Sequence, residues 1–250
     1  GQIDFHDYKR IDIFMPQGSC TFSGSASIGT VPIYTDDGDI QASWSINFSS
    51  NQSLVAHDLG HQFGLAHANA IYCTGCEDIG NQSVEYGDTF DVMGSGFRHF
   101  NAAHKEEVGW LGVENSVIVT SGEYLLKPLE IGQSGGAIQQ IKLPLTKVPD
   151  YYSWYTGPVY LSLEFRQPID FDAGVSSNML YSGVPLHYSI VPSPYSASTN
   201  LINFDFSDLV PLLQIDHPYD NPVNDYHIAL KSVTSDGALV SINAASTASP

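Results

Sequence analysis

A helix and its forced end, within residues 53–67, constrain this chain more than any other feature. From Ser53 onward Leu54, Val55, Leu59 and Phe63 recur at helical spacing, which predicts a helix opened by Ser53 as its N-cap. Gly64 is the natural stop, because glycine tolerates the left-handed backbone that ends helices. His57 and His61 are four residues apart, so the helix stacks them on one face, about 5–6 Å apart at Cβ. His67 follows three residues past Gly64, within reach of the same face once the chain turns.

The flanks read as β. "KRIDIFMP" (9–16) alternates Ile11, Ile13 and Met15 on one face and closes at Pro16, a strand. "SASIGTVPIY" and "QASWSINF" are two further short strands with Gly and Asp turns between them. Residues 68–90, rich in Gly, Asn, Asp and Ser, read as loop, and "NAAHKEEVGW" predicts a second helix from Asn101 to Trp110, capped by Asn101. After about Glu114 the strand-like runs "SVIVTSGEYLLKPL", "AIQQIKLPL", "PVYLSLEFRQ", "LHYSIVP" and "GALVSINAA" alternate with Gly, Pro, Ser and Asp. That spacing predicts a β-sandwich of roughly 7 or 8 strands. The expected fold class is therefore α+β, with residues 1–114 carrying the histidine helix and residues 115–250 forming an all-β accessory domain.

Composition narrows the function classes. The formal charge is -18, from 27 Asp+Glu against 9 Lys+Arg. Such a surface repels nucleic-acid backbones and anionic membranes, so neither is expected as a partner. Cationic substrates, a saline habitat and plain solubility all suit it. No apolar run approaches the roughly 18 residues of a membrane span, which excludes insertion by a helix. Charged residues are only 14%, below the usual ~25%, so the polar surface relies on Ser, Thr, Asn, Gln and Gly, as in many secreted proteins. Cys20, Cys73 and Cys76 are an odd number, so at least one does not pair within the chain. "CTGC" (73–76) reads as a redox or zinc pair or as part of a structural disulfide; the second fits better, with no other CxxC to complete a zinc site.

The histidines point to metal. Two imidazoles four apart on a helix can grip one zinc at about 2.0–2.1 Å each, and a third returning after Gly64 completes a three-ligand set. Three protein ligands leave the fourth tetrahedral position open, the arrangement of a catalytic site. Calcium also suits an acidic chain, but no calcium-loop pattern stands out.

"HDLGHQFGLAH" (57–67) resembles the metzincin pattern H-E-x-x-H-x-x-G-x-x-H at every fixed position except the second. "YGDTFDVMGSG" resembles the Met-turn of that superfamily, with Met93 as its methionine. "EYGDTFDVMG" followed by "FNAAHKEEVGWL" is most similar to the gametolysin-like secreted proteases, and the likeness spans roughly residues 9–112. "YLSLEFRQPIDFD" resembles, more weakly, a segment found downstream in bacterial relatives. The resemblance implies a secreted metalloprotease with one catalytic zinc on His57, His61 and His67, a structural Met93, and protein or peptide substrates. Asp88 and Asp91 would then tie down the Met-turn, orient a ligand histidine through its outer nitrogen, or simply cap the loop. His99 and His104 fall past the turn, on the surface or the second helix. The strand before the active-site helix, "QASWSINF" here, would pair with an extended substrate, or else be an ordinary internal strand.

Two departures matter. Asp58 stands where the family has glutamate, the residue that takes a proton from the nucleophilic water and passes it to the leaving amine. Aspartate is one methylene shorter, and a misplacement on the ~1 Å scale costs about 100-fold in rate. Only 56 residues precede His57, and they read as strands and turns with no long helix. This fits a minimal module or a fragment that begins inside one. The leading function is zinc-dependent endopeptidase with Asp58 as general base. An impaired scaffold kept as a zinc-containing binding or adhesion protein is the alternative, and a hydrolase of non-peptide amides is a third. Nothing in the sequence fixes an oligomeric state.

Overall fold

In the computed structural model, residues 4–16, 22–36, 38–72, 83–96, 98–132, 135–173, 183–191, 197–203, 211–221 and 224–244 are described. The three cysteines, and with them the disulfide expectation, lie outside these residues. Strands dominate and helices are few. The chain divides into two units, Gly1–Ala66 with Pro194–Ala197, and His67–Ser193 with Ser198–Pro250. Residue 114, the boundary expected from sequence, falls inside the second unit.

The first unit holds β1 (Arg10–Phe14), β2 (Gly24–Ala26), β3 (Val31–Thr35), β4 (Gly38–Asn47) and α1 (Gln52–Gln62). β4 is central: β1 runs parallel along Ser43–Asn47, while β2 and β3 run antiparallel to successive parts of β4. "SASIGTVPIY" is thus two strands rather than one, broken where Gly29 takes φ +67, a backbone that L side chains rarely adopt. "QASWSINF" has partners on both sides over Ser45–Asn47, so it is an internal strand and takes no substrate strand there.

α1 begins two residues earlier than its apolar spacing predicts, because Asn51 caps it, its side-chain oxygen accepting from Ser53 N at 2.9 Å. The apolar stripe is not its buried side: Asp58, His61 and Gln62 are buried, while Phe63 is exposed under the Arg10 guanidinium, 4.3 Å from the ring centroid. Hydrogen bonds replace apolar contact. Gln62 Nε2 donates to Asp12 Oδ1, Ser45 Oγ donates to the same oxygen, and Ser43 Oγ donates to Gln62 Oε1. Each buried polar atom so matched avoids a penalty of about 1–3 kcal/mol.

The second unit begins where the sequence reads as loop. β5 (Leu65–Tyr72) follows α1 after a short turn, and its backbone is claimed by β6 (Ser83–Val84) and a distant strand, contacts that no local propensity announces. α2 (Ala102–Glu107) forms as predicted, with Asn101 Oδ1 accepting from His104 N. The remaining strands are β7 (Ser116–Ile118), β8 (Gly122–Leu126), β9 (Gln140–Pro144), β10 (Tyr160–Glu164), β11 (Leu186–Ser189), β12 (Ala197–Asn203), β13 (Tyr219–Asn221), β14 (Tyr226–Thr234) and β15 (Gly237–Ala244). They make a seven-stranded sheet, β6-β5-β12-β11-β10-β9-β7, and a four-stranded sheet, β13-β14-β15-β8.

Strict alternation in "YLSLEFR" explains how the larger sheet is used. Leu161, Leu163 and Phe165 point one way, joining Ile141, Leu143, Leu186 and Tyr188 in a core shared with Ile228, Val240 and Ile242 of the smaller sheet. Ser162, Glu164 and Arg166 point the other way, yet they are buried too. The second face is covered by residues 88–107, which dock through polar contacts. Glu164 Oε2 accepts from Ala102 N at 2.6 Å. Arg166, fully buried, donates to Glu164 and Asp172, with Glu130 Oε1 2.8 Å from its Nε. His187 Nε2 donates to Asp88 Oδ2 at 3.0 Å.

Burial opposes charge on His187, but Asp88, with Glu164 and Asp91 behind it, outweighs this and holds the imidazole pKa above its ordinary 6.5. A raised histidine stabilises the fold fully below its unfolded pKa and loses that contribution as pH climbs through the folded value. The melting temperature should therefore carry a component that falls as pH rises from about 6.5, and His187→Gln should lack it. Parallel melting curves of the two proteins between acid and alkaline pH check this; identical pH profiles would refute the charged pair.

Candidate metal centre

Each histidine is placed by a different local device. His57 and His61 occupy successive turns of α1, their rings edge to face with centroids 4.7 Å apart. Gly64 at φ +100 reverses the chain after Phe63, so that Leu65 starts β5 at once and His67 is its third residue. The turn also supplies an orienting group: His61 Nδ1 lies 2.8 Å from Leu65 O. A carbonyl only accepts, so Nδ1 carries the proton and Nε2 presents its lone pair. His67 Nδ1 meets Glu85 Oε1 at 2.7 Å, with the same consequence, and the Tyr86 ring lies against it at 3.9 Å.

The donor atoms of His57, His61 and His67 all lie within 4.8 Å of one another. Nitrogens on one tetrahedral zinc at ~2.0–2.1 Å sit about 3.4 Å apart, so small side-chain adjustments suffice for a common ion. Neutral imidazoles with protonated Nδ1 atoms are the chemistry such an ion requires. The residues present fit zinc.

Asp58 is buried, 3% exposed, one position from His57. Its Oδ2 has no hydrogen-bond partner among the described residues. Gly24 of β2 makes the room it occupies, since a Cβ there would stand 2.6 Å from that oxygen. Burial, and then the Asp12 carboxylate, push Asp58 up to about 6.

Met93 is fully buried, and its loop is pinned from inside. Asp91 Oδ1 accepts from Met93 N at 2.6 Å, and Asp91 Oδ2 accepts from Asn101 N and His104 Nδ1. Asp88 Oδ1 accepts from Phe90 N. Ala68 N donates to Met93 O at 3.0 Å, joining the loop to the residue beside His67. Asp88 and Asp91 thus tie down the loop, and the partner of a cluster histidine is Glu85 instead. His104 is buried on α2 and His99 half-buried; neither belongs to the cluster. No linear pattern singles out Glu85, because a glutamate 18 residues from its histidine, just past β6, has no periodic relation to it.

No curated protein and no solved structure matches the chain. The family model of gametolysin peptidase M11 matches residues 1–154, a stretch that takes in the histidine helix, Glu85 and the Met93 loop. The chain belongs to the gametolysin peptidase M11 family.

Proposed function

We propose that the protein is a secreted zinc endopeptidase whose ion is held by His57, His61 and His67, with Asp58 as general base. Family membership points to peptide-bond hydrolysis, with proteins or peptides as substrates. The observation that carries the zinc reading is the meeting of the three imidazole donors. Bound there, zinc supplies a Lewis acid that polarises the scissile carbonyl and lowers the pKa of a water toward ~7. Asp58 offers Oδ2, an oxygen with no competing donor among the described residues, to take the proton and return it to the leaving amine. Glu85 fixes the His67 ring, and the buried Met93 loop supports the strand that bears it. The acidic, sparsely charged composition suits secretion.

The substrate's extended backbone pairs with the β2–β3 edge rather than with β4. That edge has β4 on one side and no other strand among the described residues. It also touches the metal helix directly, through Gly29 N donating to His61 O at 2.7 Å. A strand added there runs past the histidines. The two sheets of the second unit form a β-sandwich, supported by their common core, and its outer face carries the Met93 loop.

The depth of Asp58 favours one second reading, a zinc-containing binding protein that has lost turnover. Zinc content and cleavage of a generic unfolded protein, by the chain and by Asp58→Glu with and without chelator, separate the two. One zinc per chain is expected, with chelator-sensitive cleavage by both proteins and a gain of up to about 100-fold in the glutamate variant. Absence of zinc would sink the metal site; zinc without cleavage by either protein would establish the binding reading.

Glu85→Gln should weaken zinc about 10- to 100-fold in a competition titration while leaving the circular dichroism spectrum unchanged. Undiminished affinity would remove Glu85 from the centre.

A further inference from the structure

Tyr86 is a bulky residue held in a glycine's conformation. Gly87 N donates to Val84 O at 3.0 Å, closing a four-residue turn after β6 with Tyr86 in its third position. Tyr86 stands there at φ +59, the left-handed region that turns normally fill with glycine or asparagine. The other two non-glycines with positive φ among the described residues are Asp170 and Asp225. Aspartate tolerates that backbone because its short polar side chain bonds locally; a tyrosine has no such relief. The glycine of this turn serves another need: a Cβ on Gly87 would stand 2.7 Å from Ala70 Cβ, so its absence lets the chain close onto β5.

The strained residue is held from both sides. Tyr86 N donates to Asn69 Oδ1 at 3.1 Å, Val84 and Ser83 pair with Ala70 and Ile71 of β5, and Ser83 Oγ donates to Asn200 Oδ1 at 2.8 Å. Strain of this kind persists only where the surroundings over-determine it, and it gathers at functional sites. Its result is visible at His67. The Tyr86 ring is 42% exposed, so it is no core anchor; it lies against the His67 imidazole, centroids 3.9 Å apart and planes 39° apart. Glu85, the residue before it, meets His67 Nδ1 at 2.7 Å. A strand continued through these two residues would send their side chains to opposite faces. The turn brings both to one imidazole. Histidine χ2 is a broad torsion, so a hydrogen bond at one nitrogen still lets the ring swing, and a flat wall on its face removes that freedom.

We propose that Tyr86 is a positioning residue for His67: its ring, kept in a strained turn, fixes the plane of the imidazole so that Nε2 is presented to a metal ion. The role belongs to the ring and not to the hydroxyl. It lowers the stability of the turn in exchange for a better aimed ligand. The proposal rests on the zinc reading of His57, His61 and His67.

Tyr86→Phe, Tyr86→Gly and Tyr86→Ala in the full chain test this, read by zinc competition titration and by melting of the metal-free protein. Glycine keeps the left-handed turn, and with it Glu85 on His67, so Tyr86→Gly removes the ring alone. Tyr86→Phe should hold zinc as tightly as the parent, and Tyr86→Gly about 10-fold more weakly, a loss typical of removing a group that orients a metal ligand. Without metal, Tyr86→Gly should melt about 2–4 °C above Tyr86→Ala, the reverse of their order at an ordinary position. Undiminished zinc affinity in Tyr86→Gly would overturn the proposal, as would an equal loss in Tyr86→Phe. A glycine variant that melts below the alanine variant would mean that the turn holds no strain, and would overturn it too. These outcomes leave the three-histidine centre standing. A parent protein that binds no zinc would instead remove that centre, and this proposal with it.

Discussion

The Asp91 carboxylate ties together three separate points of the chain. One oxygen accepts from Met93 N and the other from Asn101 N and His104 Nδ1, so a single buried charge closes the Met93 loop and starts α2. Burial alone would drive its pKa up, but His104 and the backbone donors hold it below the ordinary carboxylate range. From that loop one main-chain bond passes from Ala68 to Met93, and the strand so fixed carries His67. The placement of His67 on β5 therefore depends on a carboxylate 24 residues further on.

The same design recurs on both units: functional elements rest on polar rather than apolar buried surfaces. α1 seats Gln62 among Ser43 and Asp12, and residues 88–107 meet the sheet through Glu164, Arg166 and His187. Apolar packing lies one layer behind, where Leu161, Leu163 and Phe165 face the smaller sheet. Hydrogen bonds and ion pairs have fixed lengths and angles, whereas apolar contacts tolerate sliding, so a polar layer fixes register more sharply. The proposed convergence of three histidines on one ion would gain from that sharpness.

This layering explains what was legible in the sequence. The meeting of His57, His61 and His67 and the turn at Gly64 could be read because a fixed spacing encodes them, and α2 because Asn101 caps it. The spacing of Leu54, Val55, Leu59 and Phe63 locates α1 but not its buried side, which is Asp58, His61 and Gln62. β5 was read as loop because its pairing comes from β6 and β12, far along the chain. Glu85 and Gly24 meet His67 and Asp58 through three-dimensional proximity alone, and no linear pattern points to them. The alternation in "YLSLEFR" was visible, but only the structure shows that both of its faces are buried.

Three imidazoles of α1 and β5 are proposed to converge on one ion. X-ray absorption at the zinc edge of the metal-loaded chain reads that shell directly. Nitrogen and oxygen scatterers alone are expected, with three imidazoles at ~2.0–2.1 Å. A sulfur shell at ~2.3 Å, which only ligation by the cysteines or methionines would produce, or fewer than three imidazoles, would contradict it.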